Sequence, residues 1–107
     1  MREEAKEMFI VGTVTYPPDK SVQMAKKFIK ASEKPLPSFV KRLHVLSTAG
    51  GELGMKVLGI YEVDDAKLKE GIKEINKNYV QFFDVEGFRY SVELMLPAAE
   101  ALPLLGM

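Results

Sequence analysis

The stretch MKVLGIYEVDDAKLKEGIKEINKNYVQFFDVEGFRYSVELML, residues 55–96, reads as a strand, a helix and a second strand without interruption. In its middle, Leu68, Ile72, Ile75, Tyr79 and Phe82 recur at alternating steps of four and three. That spacing lays one continuous apolar stripe along a helix. Downstream, Phe88, Tyr90, Val92, Leu94 and Leu96 alternate with Arg89, Ser91 and Glu93. A period of two is the mark of a strand with one face toward a core. Upstream, the apolar run Met55–Val63 ends at Asp64-Asp65, which is predicted to cap the helix and to favour its positive end. Gly71 lies inside the stripe at a cost of roughly 1 kcal/mol relative to alanine. Its presence points to a close approach of helix to sheet.

The residues before this stretch repeat the same plan. Met8–Tyr16 is β-branched and aromatic, which suits a central strand. Pro17-Pro18 ends it, and Asp19 is placed to cap a helix over Lys20–Ser32. Val22, Ala25, Phe28 and Ile29 are expected on the packed side of that helix, with Lys20, Lys26, Lys27 and Lys30 largely in water. Pro35 and Pro37 bracket the exit. Phe39–Ala49 is the second strand, and Gly50-Gly51 the hairpin turn into the third, because both glycines accept positive φ. The order strand–helix–strand–strand–helix–strand is the split βαβ, or ferredoxin-like, unit. The predicted fold is therefore α+β: a four-stranded antiparallel sheet with two helices on one face. It forms one domain over residues 8–107, preceded by a flexible polar lead, Met1–Glu7.

With 107 residues, a hydrophobic fraction of 47% and a charged fraction of 28%, the chain is expected to be globular. Fifteen basic residues balance fifteen acidic ones, so no general field draws in nucleic acid or acidic lipid. No segment is apolar for long enough to span a bilayer, and the charged start is unlike a signal peptide. A cytoplasmic location is expected. Cysteine is absent, which removes disulfides, thiolate metal sites and thiol nucleophiles together. No cofactor and no metal are expected.

Two helices cover only one face of a four-stranded sheet, and a face that met water should be polar. Here Ile10 and Val14 lie on one side of the first strand and Phe9 and Val11 on the other. The third strand likewise carries Met55, Val57 and Tyr61 opposite Leu58 and Ile60. The tail from Pro97 to Met107 is mostly apolar, and its two prolines limit it to a short helical turn and an extended end. An uncovered apolar face marks an interface or a ligand groove. A second copy of the chain, held through the open sheet face and the tail, is the economical partner.

In element order and length, from Phe9 to Leu96, the chain resembles the dimeric α+β-barrel superfamily, in particular its small bacterial and archaeal members. The resemblance implies a homodimer whose sheets pair into a barrel, and a ligand-sized hollow. It brings no catalytic motif. Related groups fit less well. Metal-carrying ferredoxin-like domains need a cysteine pair. RNA-recognition motifs need a basic-glycine-aromatic pattern that Met55–Tyr61 lacks. Quinone-type monooxygenases of the barrel group often use Trp, Asn and His together; Trp is absent here, and Asn76 and Asn78 fall in the second helix.

The chemistry that remains is sparse. His44 is the single histidine, on the second strand between Leu43 and Val45. Its charge can change near neutral pH, although a strand histidine facing solvent or a neighbour is the ordinary reading. Simple alternation puts Arg42 and Thr48 on the same pleat face as His44. With Tyr61 or Tyr16 nearby, Arg42 could hold a small carboxylate while a tyrosine forms an aromatic wall. Pairing across the hairpin decides the neighbours: a two-residue turn sets His44 opposite Val57, and one more loop residue sets it opposite Leu58. Gly50-Gly51-Glu52-Leu53-Gly54 joins two strands and lacks the ending of a phosphate-binding loop. Lys26, Lys27 and Lys30 are read as a solvated helix face. The expected function is homodimeric small-molecule or partner binding without catalysis, through His44, Arg42, Tyr61 and Tyr16. The alternative is a small cofactor-free isomerase or monooxygenase with His44 as general base.

Overall fold

In the computed structural model, residues 7–48 and 54–107 are described. Of the expected lead Met1–Glu7, residues 1–6 lie outside them, as does the expected turn at Gly50-Gly51, and Glu7 is the first residue of a strand. Four strands, β1 (Glu7–Tyr16), β2 (Val40–Ser47), β3 (Met55–Asp64) and β4 (Arg89–Met95), form one antiparallel sheet in the order β2-β3-β1-β4. Helices α1 (Ser21–Ser32) and α2 (Leu68–Val80) cross one face. The tail holds a third short helix, α3 (Ala98–Ala101), where two helices were expected for the whole fold. A 3-10 turn over Leu102–Leu105 replaces the expected extended end, and it closes at Gly106 with φ of 78°.

Register fixes the two faces. Ile10 pairs with Tyr61 and Leu94, Gly12 with Gly59 and Val92, and Val14 with Val57 and Tyr90. These residues look toward the helices. Ile10, Val63 and Ile75 are completely enclosed there, joined by Val14, Val40, Tyr61, Tyr79, Phe82 and Val85. The α2 stripe read from sequence is thus the core-facing stripe, and Phe82 remains buried just past the helix end. Gly71 is the point of closest approach: a Cβ there would meet Val63 Cγ1 at 2.5 Å.

α1 departs from expectation. Its buried residue is Met24, whereas Val22, Ala25, Phe28 and Ile29 are all exposed, Val22 at 68%. The helix stands off the sheet, and what fills the gap is a cleft rather than a packed layer. Neither helix is capped as expected. A 3-10 turn precedes each, over Pro18–Lys20 and Asp65–Lys67, so Lys20 and Lys67 hold the N-cap positions. Asp19, Asp64 and Asp65 make no side-chain cap hydrogen bond. At the first turn the Ser21 hydroxyl instead donates to the Pro18 carbonyl at 2.7 Å.

Candidate functional site

Strand β2 carries an irregularity that decides the site. Arg42 pairs with Tyr61, but His44 pairs with Ile60, so Leu43 is an extra residue relative to β3. A bulge of this kind re-aims the side chains that follow it. Arg42 keeps the face of Tyr61, toward the helices. His44 keeps the face of Ile60, away from them. The shared pleat face expected for Arg42 and His44 is therefore corrected, and the partner of His44 is neither Val57 nor Leu58. Beyond the bulge, Val45 and Ser47 return to the helix side opposite Gly59 and Val57. Thr48 is occupied at the hairpin, accepting from the Lys56 N–H at 3.1 Å and donating to the Lys56 carbonyl at 3.4 Å.

Between α1, the end of α2 and the helix side of β1, β2 and β3 lies a cleft of about 200 Å³. Val14, Met24, Phe28, Val57 and Phe82 give it apolar walls. Arg42, Tyr16, Ser47, Asn78, Tyr61 and Tyr79 supply its polar groups. Of the sequence-predicted site residues, Arg42, Tyr61 and Tyr16 come together here. His44 does not; it is exposed on the opposite face, in a row with Ile60, Val11 and Glu93.

The floor of the cleft depends on two glycines. Gly12 and Gly59 face one another across β1 and β3, leaving room for aromatic rings above them. A Cβ on Gly12 would collide with the Tyr79 hydroxyl, and one on Gly59 would lie 3.0 Å from the Tyr61 ring. In that space the Tyr61 and Tyr79 hydroxyls meet at 3.4 Å. Burial pushes the Tyr79 hydroxyl well above the usual phenol range, and the neighbouring Tyr61 hydroxyl adds to the effect. Tyr79 is therefore a neutral hydroxyl at any physiological pH.

Arg42 extends over the Tyr61 ring, its guanidinium carbon 5.6 Å from the centroid, within reach of a cation–π contact. Its Nε is buried and has no hydrogen-bond partner among the described residues. A buried donor left unmet on a charged side chain is costly, so the arrangement favours an anion. Among the described residues the ion pair present is Lys27 with Asp84, 2.8 Å apart, which ties α1 to the turn after α2. Lys27 also donates to the Gln81 carbonyl at 3.3 Å.

Sequence reasoning did not place Tyr79, Ser47, Asn78, Met24 or Phe28 at a site. A signal for Tyr79 existed. Mid-strand glycines mark a close approach of another group, and Gly12 and Gly59 are both mid-strand. No group of three His, Cys, Asp or Glu side chains is arranged to hold a metal among the described residues. Nor is any helix there long and apolar enough to cross a membrane.

Among solved structures, the chain is similar to the de novo designed protein Foldit4, with a TM-score of 0.53 and 10% identity over 86% of this chain and 99% of that one. It is also similar to the C-terminal domain of the MgtC protein from Mycobacterium tuberculosis, with a TM-score of 0.41 and 10% identity over 87% and 94%. At these identities the first likeness is one of fold alone, and the second is too distant to carry an argument. No protein-family model matches the sequence, and no curated protein does.

Proposed function

We propose that this chain is a homodimeric α+β-barrel protein, of the dimeric α+β-barrel superfamily, that binds a small molecule in the cleft beneath α1 without transforming it. One observation carries the reading: among the described residues, a cleft with apolar walls contains a single cation, Arg42, whose buried Nε lacks a partner. Small-molecule sites combine such walls with a few placed polar groups.

The homodimer is supported by the face that the helices leave open. Phe9, Val11, Leu58 and Ile60 lie side by side on it, with Leu46 52% and Met95 42% exposed at its edges. Toward one end Glu62, Glu93 and Asp64 outnumber Lys41, and toward the other stand Lys56 and Arg89. A second copy turned end for end sets opposite charges toward each other, as a two-fold interface requires of a single surface. The tail adds Leu104, Leu105 and Met107, at least 74% exposed, as groups that a neighbouring copy would cover.

Light scattering on the pure protein should give twice the 12.0 kDa protomer mass at micromolar concentration. Leu58→Glu, in the middle of the open face, should return it to the single mass. A lone protomer in the unaltered protein would remove the dimer. For the cleft, a small-fragment screen by ligand-observed NMR should give hits that Ser47→Trp abolishes; hits indifferent to that substitution would remove the site. The alternative enzyme, with His44 as general base, has its histidine on the far side of the sheet from the cleft. His44→Ala is accordingly expected to leave ligand binding unchanged.

A further inference from the structure

We infer that the cleft takes a monocarboxylic acid with a compact apolar body, its carboxylate held by the guanidinium of Arg42. The inference rests on the cleft being a ligand site, and it adds the charge, the size and the anchoring atom.

Charge comes first. Among the described residues, Arg42 is the one ionised side chain lining the cleft, and no Asp or Glu lines it. A guanidinium offers a rigid fork that matches a carboxylate with two parallel hydrogen bonds. The Tyr61 ring beneath holds that fork in place, and the Arg42 Nε is a donor without a partner among the described residues. Without the extra residue at Leu43, the alternation on β2 would not bring both Arg42 and Ser47 to the helix side. The bulge therefore builds a cationic corner with a hydroxyl further along the strand.

The neutral groups complete the selection. The Tyr61 and Tyr79 hydroxyls are within reach of each other. When Tyr79 donates to Tyr61, the Tyr61 hydrogen is free to turn toward a carboxylate oxygen. Because Tyr79 stays protonated, no phenolate opposes an anion. A phosphate ester carries up to two charges, and one cation among apolar walls leaves the second unpaired, which is costly in such surroundings.

Volume sets the body. A cleft of about 200 Å³ is comparable in size to a cavity that holds a single small aromatic ring. It fits a short branched or aromatic acid lying between Met24, Phe28, Val57 and Phe82.

The test uses phenylacetate, its neutral amide and phenyl phosphate as probes, read by calorimetry and by backbone amide shifts at pH 7 on the full chain. Phenylacetate should bind at least tenfold more tightly than either of the others. Arg42→Gln should bring it to the level of the amide and leave the amide unchanged. Arg42→Lys should recover only part of the difference, since the fork is lost. Equal binding of acid and amide, or an unaltered preference in Arg42→Gln, overturns the inference. If the amide binds as well as the acid and Ser47→Trp abolishes both, the ligand class fails while the cleft remains a site. If acid binding is indifferent to Ser47→Trp and to Ala25→Trp on the opposite wall, both readings fail. Absence of binding by all three probes at millimolar concentration also overturns the inference.

Discussion

The hydroxyl of Tyr79 occupies the position that a side chain on Gly12 would take. The two residues are interdependent: the ring needs the bare backbone, and the bare backbone needs the ring to fill the core above it. Gly12→Ala should therefore destabilise the fold by about 1–3 kcal/mol, the usual cost of overpacking. A strand alanine without this collision would be neutral or better. Thermal melts of Gly12→Ala, Tyr79→Phe and the double variant form the cycle. Removing the hydroxyl should recover part of the loss, and strictly additive effects would deny the contact.

A second pair, Gly71 and Val63, sets helix propensity against packing. Alanine at residue 71 would gain about 1 kcal/mol as a helix former. Its Cβ would lie 2.5 Å from Val63 Cγ1, on a central residue that is fully buried. Overpacking at about 1–3 kcal/mol decides the sign, so Gly71→Ala should destabilise. In a Val63→Ala background the same substitution should become stabilising relative to Val63→Ala alone. Denaturant midpoints would read the change of sign, and a loss of equal size in both backgrounds would contradict it.

Tyr79 also predicts behaviour in alkali. Its folded pKa is raised, chiefly by burial, above an unfolded value of about 10. Above pH 10 the unfolded chain releases this proton and the folded chain keeps it. The unfolded state then binds fewer protons, and stability falls as pH rises. Below pH 10 the two states hold the proton alike and the effect vanishes. Tyr79→Phe should show a shallower loss of stability between pH 10 and 11.5 than the unaltered protein. Parallel curves over that window would mean that the hydroxyl is solvated.

Much of the fold was legible because it rests on periodicity. The alternation of Phe88 to Leu96 and the stripe from Leu68 to Phe82 each specify an element and its buried side, and Gly71 signalled a close approach of helix to sheet, which the structure places at Val63. The helix α1 was legible but its packed face was not, for a reason of the same kind. Its apolar residues were assigned to a packed face, but the helix spans a cleft. Ala25 and Phe28 line that cleft, Val22 and Ile29 meet solvent, and Met24 is the residue that reaches the core. Hydrophobicity alone does not separate a wall from a core.

The site was half legible. Arg42, Tyr16 and Tyr61 could be grouped because they fall on strands that a hairpin and a helical crossover bring together. His44 was misplaced relative to Arg42 because strict alternation was carried through Leu43. No glycine or proline marks the bulge, and one extra residue exchanges the faces of everything that follows. The aspartates at the two helix starts were read as caps from position alone. The intervening 3-10 turns move them one turn out of reach.

Besides Met24 in the core, the weakly packed α1 has an electrostatic fastening. Lys27 reaches from α1 to Asp84 and to the Gln81 carbonyl just beyond α2. The hydrogen bond from Lys27 holds the Asp84 carboxyl below the usual carboxylate range, against an opposing desolvation. A depressed folded pKa contributes stability that is present above the unfolded value, about 3.9, and is lost as pH falls through the folded value. Asp84→Asn should therefore increase local opening of α1 at pH 7, read as faster amide exchange over Ser21–Ser32, with little effect on β1 and β3. The difference from the unaltered protein should shrink in high salt, because the pair is exposed. It should also close in acid once Asp84 is protonated. Lys27→Met should open α1 further than Asp84→Asn, since it loses the Gln81 contact too. Equal exchange rates in all three proteins at pH 7 and low salt would show that the clasp does not hold the helix over the cleft.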